Sequence, residues 1–162
     1  YGYNGSLLAP PSTVPFTVGP LNTTRVLDTN TNAIPYNLED AVLKMNITAT
    51  GLLPNGGGTK VFKHEAYFHI LDLNRATLQD PGLKLEYDSG TGNFTIEATK
   101  AVAAWVWLDI PAGTLANFDT NAFWLVPGDG KKEIGVTVKN DSSFGKWVGK
   151  VTAKSLWDNT QA

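Results

Sequence analysis

Sixteen glycines and nine prolines, spread along 162 residues, cut this chain into short segments rich in Val, Ile, Thr, Tyr, Phe and Trp. Punctuation that dense leaves little room for long helices, and segments of this size and composition form strands. In the second half the alternation is explicit. Leu83-Lys84-Leu85-Glu86-Tyr87 and Phe94-Thr95-Ile96-Glu97-Ala98 place an apolar residue at every second position, and the intervening Asp88-Ser89-Gly90-Thr91-Gly92 has turn composition, so the stretch is predicted to be a hairpin. Segments 103–108, 121–125, 133–138 and 149–155 are predicted as further strands, at the spacing of a two-sheet sandwich. The expected class is all-β, with residues 83–162 one complete immunoglobulin-like β-sandwich that lacks a cysteine pair.

Residues 1–82 are less self-contained and are expected to form a second, incomplete β-sandwich region. Strands are expected within 15–18, 42–49 and 61–73, while Pro10, Pro11, Pro15, Pro20 and Pro35 interrupt the rest. A short helix is expected over 37–45, opened by Asn37 as its cap, with a turn at 73–78 and a loop tip at Gly56-Gly57-Gly58. The linker candidate is Gln79-Asp80-Pro81-Gly82. The chain opens at Tyr1 and its single methionine is Met45, so the expectation is a polypeptide whose N-terminal part, including the missing strands, lies before Tyr1. Residues 1–6 are read as a loop tail.

Charge and composition remove several classes of function. Thirteen basic against fifteen acidic side chains give a net charge of −2, with no basic cluster, so neither a nucleic-acid backbone nor an anionic membrane is an expected partner. No apolar stretch reaches the roughly 18–20 residues of a bilayer span, and no signal-peptide pattern opens the chain. Without cysteine there is no disulfide, thiol nucleophile or thiolate metal site. Asn-x-Ser/Thr triplets begin at Asn4, Asn22, Asn46, Asn93 and Asn140. The excess is read as secretion through a glycosylating pathway, with N-glycans on these five candidates, against the blander reading that Asn and Thr are common in β-proteins.

Catalytic and metal-binding patterns are thin. His64 and His69 lie five apart in β-forming sequence, which puts them on opposite faces of a strand rather than on one face of a helix, and no metal or other cofactor is expected. Glu65, Glu86, Glu97 and Asp109 are the candidate carboxylates for glycoside hydrolysis, yet none sits in a motif that would tune its acidity, and all four are read as surface acids. No nucleophile elbow, phosphate loop or dinucleotide glycine pattern occurs. Trp105 and Trp107, two apart on one strand, share a face that either stacks on sugar or packs in the core; core packing is preferred because 103–108 is apolar on both faces. Phe123 and the adjacent Trp124 face opposite ways, so one of them is expected to be partly exposed as a binding or domain contact.

Three stretches carry a resemblance. Ala104-Trp105-Val106-Trp107-Leu108-Asp109-Ile110-Pro111-Ala112-Gly113, Asn117-Phe118-Asp119-Thr120-Asn121-Ala122-Phe123-Trp124-Leu125-Val126-Pro127-Gly128 and Val151-Thr152-Ala153-Lys154-Ser155-Leu156-Trp157-Asp158 together resemble the C-terminal end of fungal secreted β-mannosidases of glycoside hydrolase family 2. The likeness covers about residues 40–162 well and 1–39 poorly. It implies a retaining enzyme that hydrolyses terminal, non-reducing β-D-mannose residues on a (β/α)8 barrel held elsewhere, and neither catalytic glutamate motif has a counterpart here. It implies a non-catalytic, extracellular portion of such an enzyme that braces the barrel. The partners implied are the remainder of the β-mannosidase, as one chain or a separate cleaved one, and mannan-derived oligosaccharides through that parent, with a homodimer left open. The alternative is a stand-alone secreted carbohydrate-binding sandwich using Trp105, Trp107 or Trp124; a third class is an adhesive surface module.

Overall fold

A computed structural model describes residues 1–161. The chain divides into two compact units, one of Tyr1–Gly2 with Leu7–Ala76 and one of Tyr3–Ser6 with Thr77–Ala162.

The first unit is built on two eleven-residue antiparallel strands, β1 (Val42–Leu52) and β2 (Thr59–His69). Their register runs unbroken from Val42 opposite His69 to Leu52 opposite Thr59, and the connection closes with Leu53 N–H on the Gly58 carbonyl at 2.8 Å. The helix expected over 37–45 is only a 3-10 turn, Leu38–Asp40, with the Asn37 side chain accepting from the Glu39 N–H. It stops there because the following Val42 and Ile47 are β-branched and gain a full ladder with β2. The strand expected at 15–18 does not form: Pro15 has no N–H to give, and among the described residues no strand pairs with this segment.

The second unit holds β3 (Leu83–Asp88), β4 (Asn93–Ala98), β5 (Ala103–Asp109), β6 (Thr114–Phe118), β7 (Phe123–Leu125), β8 (Lys132–Ile134), β9 (Val136–Asp141), β10 (Thr152–Lys154) and a terminal turn of helix, α1 (Leu156–Asn159). The sheets are β3-β4-β8, β10-β5-β7 and β6-β9, and every pairing is antiparallel. The hairpin read from 83–98 is β3 and β4. What the alternation showed as one strand over 133–138 is two, since β8 pairs with β4 while β9 pairs with β6, and the chain changes sheet at Gly135. Gly135 gives its carbonyl to Asp119 N–H at 3.0 Å, and a Cβ on it would lie 2.9 Å from an Asp119 carboxylate oxygen.

Between the sheets Phe94, Ile96, Val106, Leu108, Leu125, Ile134 and Trp147 form the core, with Ile96, Val106 and Ile134 fully buried. These are the inward positions of an alternating pattern, and burying each large aliphatic contributes on the order of 1.5–3 kcal/mol. The start of the chain is not the loose tail its sequence suggested. Tyr3 is 2% exposed and its carbonyl accepts from the Val102 N–H at 3.0 Å.

Candidate functional site

The feature that stands out on the second unit is its outward aromatic face on β5. The strand alternates from Val106 onward, with Val106 and Leu108 inward and Trp105, Trp107 and Asp109 outward. Trp105 is 46% and Trp107 50% exposed, so the preference for core packing at these two positions is overturned. The reason is local. The pairing of β5 with β7 shifts register between Ala103 and Val106, Trp105 sits at φ 52° within that irregularity, and the two small residues Ala103 and Ala104 are both buried. The bulge leaves the aliphatic Val106 and Leu108 in the core and turns the larger indoles out.

The face has a definite chemistry. Trp107 Nε1–H donates to an Asp109 carboxylate oxygen at 3.0 Å, which fixes the indole along the strand. Across the ladder, Lys154 stands opposite Trp107 and Thr152 opposite Asp109. Trp124 lies between the core residues Phe123 and Leu125 on β7 and so points to the outer side, where its ring meets Trp105 edge-on at 6.0 Å between centroids. Neither residue of the Phe123–Trp124 pair is exposed as expected: they are 9% and 6% accessible. The result is two half-exposed indoles beside a third that is covered, with a carboxylate and a lysine at the edge, an arrangement able to stack on an apolar ring face or seat another protein surface.

Polar groups of the characteristic stretches, and of the loop after β9, brace the same unit. The Asn121 carboxamide accepts from Leu108 N–H at 2.8 Å and donates to Leu108 C=O at 3.1 Å, standing in for a strand partner just before β7 begins. Ser155 gives both its N–H (2.6 Å) and its hydroxyl (2.9 Å) to the Asp158 carboxylate, a capping arrangement that starts α1. The Ser-x-x-Asp spacing is a signal from which sequence reading could have placed that helix. Asp141 accepts from the Ser143 N–H and hydroxyl and the Gly145 N–H, at 2.7, 2.6 and 2.6 Å, and Ser143 Oγ in turn accepts from Trp147 N–H at 2.9 Å. This network seats Trp147 against Phe94, and the donors from Ser143 and Gly145 hold the Asp141 carboxyl below its usual range.

Of the candidate carboxylates, Glu65 lies 3.0 Å from Lys44 in the first unit, Glu86 and Glu97 share one face of the β3–β4 hairpin beside Lys131, whose pairing with Glu86 lowers that carboxyl's pKa, and Asp109 holds Trp107. A general acid of a glycosidase needs its pKa raised. Among the described residues, every carboxyl with a resolved shift, Asp80, Glu86, Asp88 and Asp141, is shifted downward by donors or a lysine. His64 faces Ile47 and His69 faces Val42 across the β1–β2 ladder, an odd separation on one strand and therefore opposite faces. Of the sequon asparagines, Asn4, Asn22, Asn46 and Asn140 are exposed; Asn93 is half-buried with its amide on Glu133 at 2.5 Å.

Comparison with known proteins follows the same division. A family model of the mannosidase Ig-fold domain matches residues 78–159. The chain is 44% identical over 151 residues to Beta-mannosidase A of Aspergillus flavus, covering 93% of this chain and 16% of that protein. It is 45% identical over 149 residues to Beta-mannosidase A of Aspergillus niger and 41% identical over 156 residues to that of Aspergillus aculeatus, covering 91% and 96% of this chain. It spans about 16% of the length of each of these relatives.

Proposed function

The chain belongs to the family of mannosidase Ig-fold domains, and from that membership we propose that it is the non-catalytic C-terminal portion of a secreted β-mannosidase acting on terminal β-D-mannose residues. The observation that carries this reading is the 44% identity along 93% of the chain to Beta-mannosidase A, a protein of which the matched region is 16%. The chemistry agrees: Glu65 and Glu86 are paired with lysines, Asp109 is held by an indole, and the Glu86 carboxyl is lowered rather than raised in pKa, so the reaction is assigned to the remainder of the polypeptide. Its role is to brace that remainder. The indoles of Trp105 and Trp107, both half-exposed, the second fixed by Asp109 and the first set against Trp124, fit a surface that the catalytic part covers. The sequons, four of them exposed, fit passage through a glycosylating secretory route and N-glycans at the surface.

The test is a denaturing gel and intact mass on material from the natural source, before and after removal of N-glycans. The expected result is a polypeptide carrying these residues that accompanies β-mannosidase activity through purification and loses mass on deglycosylation. A species near 17.4 kDa that does not shift and separates from that activity would overturn the reading.

One observation favours a second reading, a carbohydrate-binding sandwich: Trp105 and Trp107 are both about half exposed on one face. Indole fluorescence titrated with manno-oligosaccharides decides it. Saturable quenching lost in Trp107→Ala supports sugar stacking, and an unchanged spectrum removes it.

A further inference from the structure

Around the last of the five sequons the surface of the second unit is apolar. Leu115 of β6 stands directly opposite Asn140 of β9, at the point where the register of the pair shifts, so the two side chains share the outer face of that sheet. Opposed residues of an antiparallel pair have their Cβ atoms about 4.5–5.5 Å apart. Asn140 is exposed, and Leu115 is 59% exposed. Four residues further on, Phe144 is 93% exposed at φ 55°, a strained left-handed conformation for a bulky side chain. Asp141 holds it there, its carboxylate accepting from the N–H groups of Ser143 and Gly145 on either side. The 2.6 Å bond to Gly145 folds the loop back on the end of β9 and keeps the Phe144 Cα within about 12 Å of that of Asn140. The other sequon asparagines have polar surroundings. Asn4 Oδ1 accepts from the Ser6 N–H and hydroxyl, Asn22 Oδ1 accepts from the Thr23 N–H, Asn46 stands opposite Glu65, and Asn93 stands opposite Asp88 with its amide on Glu133.

We propose that Asn140 carries an N-linked glycan whose first N-acetylglucosamine residues lie over Leu115 and Phe144 and complete the outer surface of the second unit at that place. This rests on the reading of the chain as one that passes through a glycosylating secretory route. The chemistry of the patch selects this occupant. A pyranose ring presents a face of C–H groups and its N-acetyl arm ends in a methyl, so the sugar covers aliphatic and aromatic carbon while its hydroxyls stay in water. Attachment at Asn140 sets the first sugar beside the leucine, and a group tethered to the chain owes no association entropy for the contact. A protein partner seated on Leu115 would meet the acceptor asparagine of an Asn-x-Ser triplet directly across the ladder, where a bulky, solubilising substituent bars its approach.

The test is made on the protein secreted by its natural source, with variants returned to that source. Glycopeptide masses map the five sequons, and hydrogen exchange is followed at the amides of 114–118 and 136–147. The expected result is a glycan on Asn140, with exchange accelerated on the order of fivefold in Asn140→Gln and unchanged in Asn46→Gln. Leu115→Ser in the glycosylated protein should give the same acceleration, and the two changes together no more than either alone, since each removes the same contact. Where Asn140→Gln is not secreted, trimming of the folded protein takes its place: an endoglycosidase that leaves one N-acetylglucosamine should keep the protection, and an amidase that removes the whole glycan should abolish it. Glycans at other sequons with none on Asn140 overturn the proposal and leave the secretion reading standing. Exchange indifferent to the Asn140 glycan, or fully additive effects of Asn140→Gln and Leu115→Ser, do the same. A protein bare at all five sequons overturns the secretion reading and the proposal with it.

Discussion

Gly82 closes the turn that leads into β3, and replacing it with alanine isolates one element of the fold. The residue sits at φ 60°, the left-handed region, where an L side chain costs about 1–2 kcal/mol. A Cβ there would stand 2.6 Å from Thr99 Oγ1, and 2.8 Å from Lys100 Cγ. The lysine side chain can swing into solvent, but Thr99 Oγ1 donates to the Gly82 carbonyl at 2.8 Å, and moving it forfeits a bond worth about 0.5–1.5 kcal/mol. Alanine lowers the entropy of the unfolded chain and returns about 0.4–1 kcal/mol. The net loss expected for Gly82→Ala is therefore about 2 kcal/mol. All five tryptophans, Trp105, Trp107, Trp124, Trp147 and Trp157, lie in the second unit, so urea unfolding followed by indole fluorescence reads that unit alone. On a Thr99→Ala background the clash and the hydroxyl bond are already gone, and the same glycine change should cost only about 1 kcal/mol. A Gly82→Ala protein within about 0.5 kcal/mol of the parent, or an equal cost on both backgrounds, would refute the reasoning.

Three further outcomes are expected. Asn121→Ala leaves the Leu108 N–H and C=O without their partner and should cost about 1–3 kcal/mol in the same unfolding experiment, with Asn121→Asp recovering only the acceptor half. Asp141 is held below its usual pKa by Ser143 and Gly145 donors, so its contribution is present above the unfolded value of about 3.8 and is lost as pH falls through the lower folded value. Acid titration should thus loosen the 141–147 loop and red-shift the emission of the buried Trp147, and in Asp141→Asn that acid step should disappear. Burial pushes the Tyr3 phenol up to about 12 and the Tyr67 phenol up as well, so both stay neutral in the folded protein while free tyrosine ionises near 10. Raised folded values mean stability that is complete below about pH 10 and lost as pH rises through them; tyrosinate absorbance should develop in two stages, the late one coinciding with unfolding.

What could be read from the residues alone was whatever strict alternation carries. Leu83 to Ala98 declared a hairpin because its inward positions are apolar and its turn is built from Asp, Ser, Thr and Gly. The strand switch at Gly135 was hidden because 133–138 alternates without a break; only the close approach of Asp119, distant in sequence, explains why a glycine stands there. The orientation of Trp105 and Trp107 was misread for a related reason. An apolar strand has no polar residue to mark its outer face, and the register shift between Ala103 and Val106 that turns the indoles outward depends on pairing with β7. Trp124 was misjudged because its cover is another indole, Trp105, brought close by tertiary structure. In β1 and β2 alike Lys and Thr are mixed with apolar residues, so which side chains share a face becomes legible only in register, with Ala49 meeting Phe62.

The central claim is that this chain is a non-catalytic part of a β-mannosidase, and immunodepletion tests it most directly. Antibody raised against residues 1–162 is used to clear the secretions of the natural source, and turnover of an aryl β-D-mannoside is measured in the cleared fluid, on the beads and with the purified chain alone. The expected result is activity that leaves the fluid and appears on the beads, with none from the chain by itself. Activity that stays in the cleared fluid, or turnover by the isolated chain, would contradict the claim.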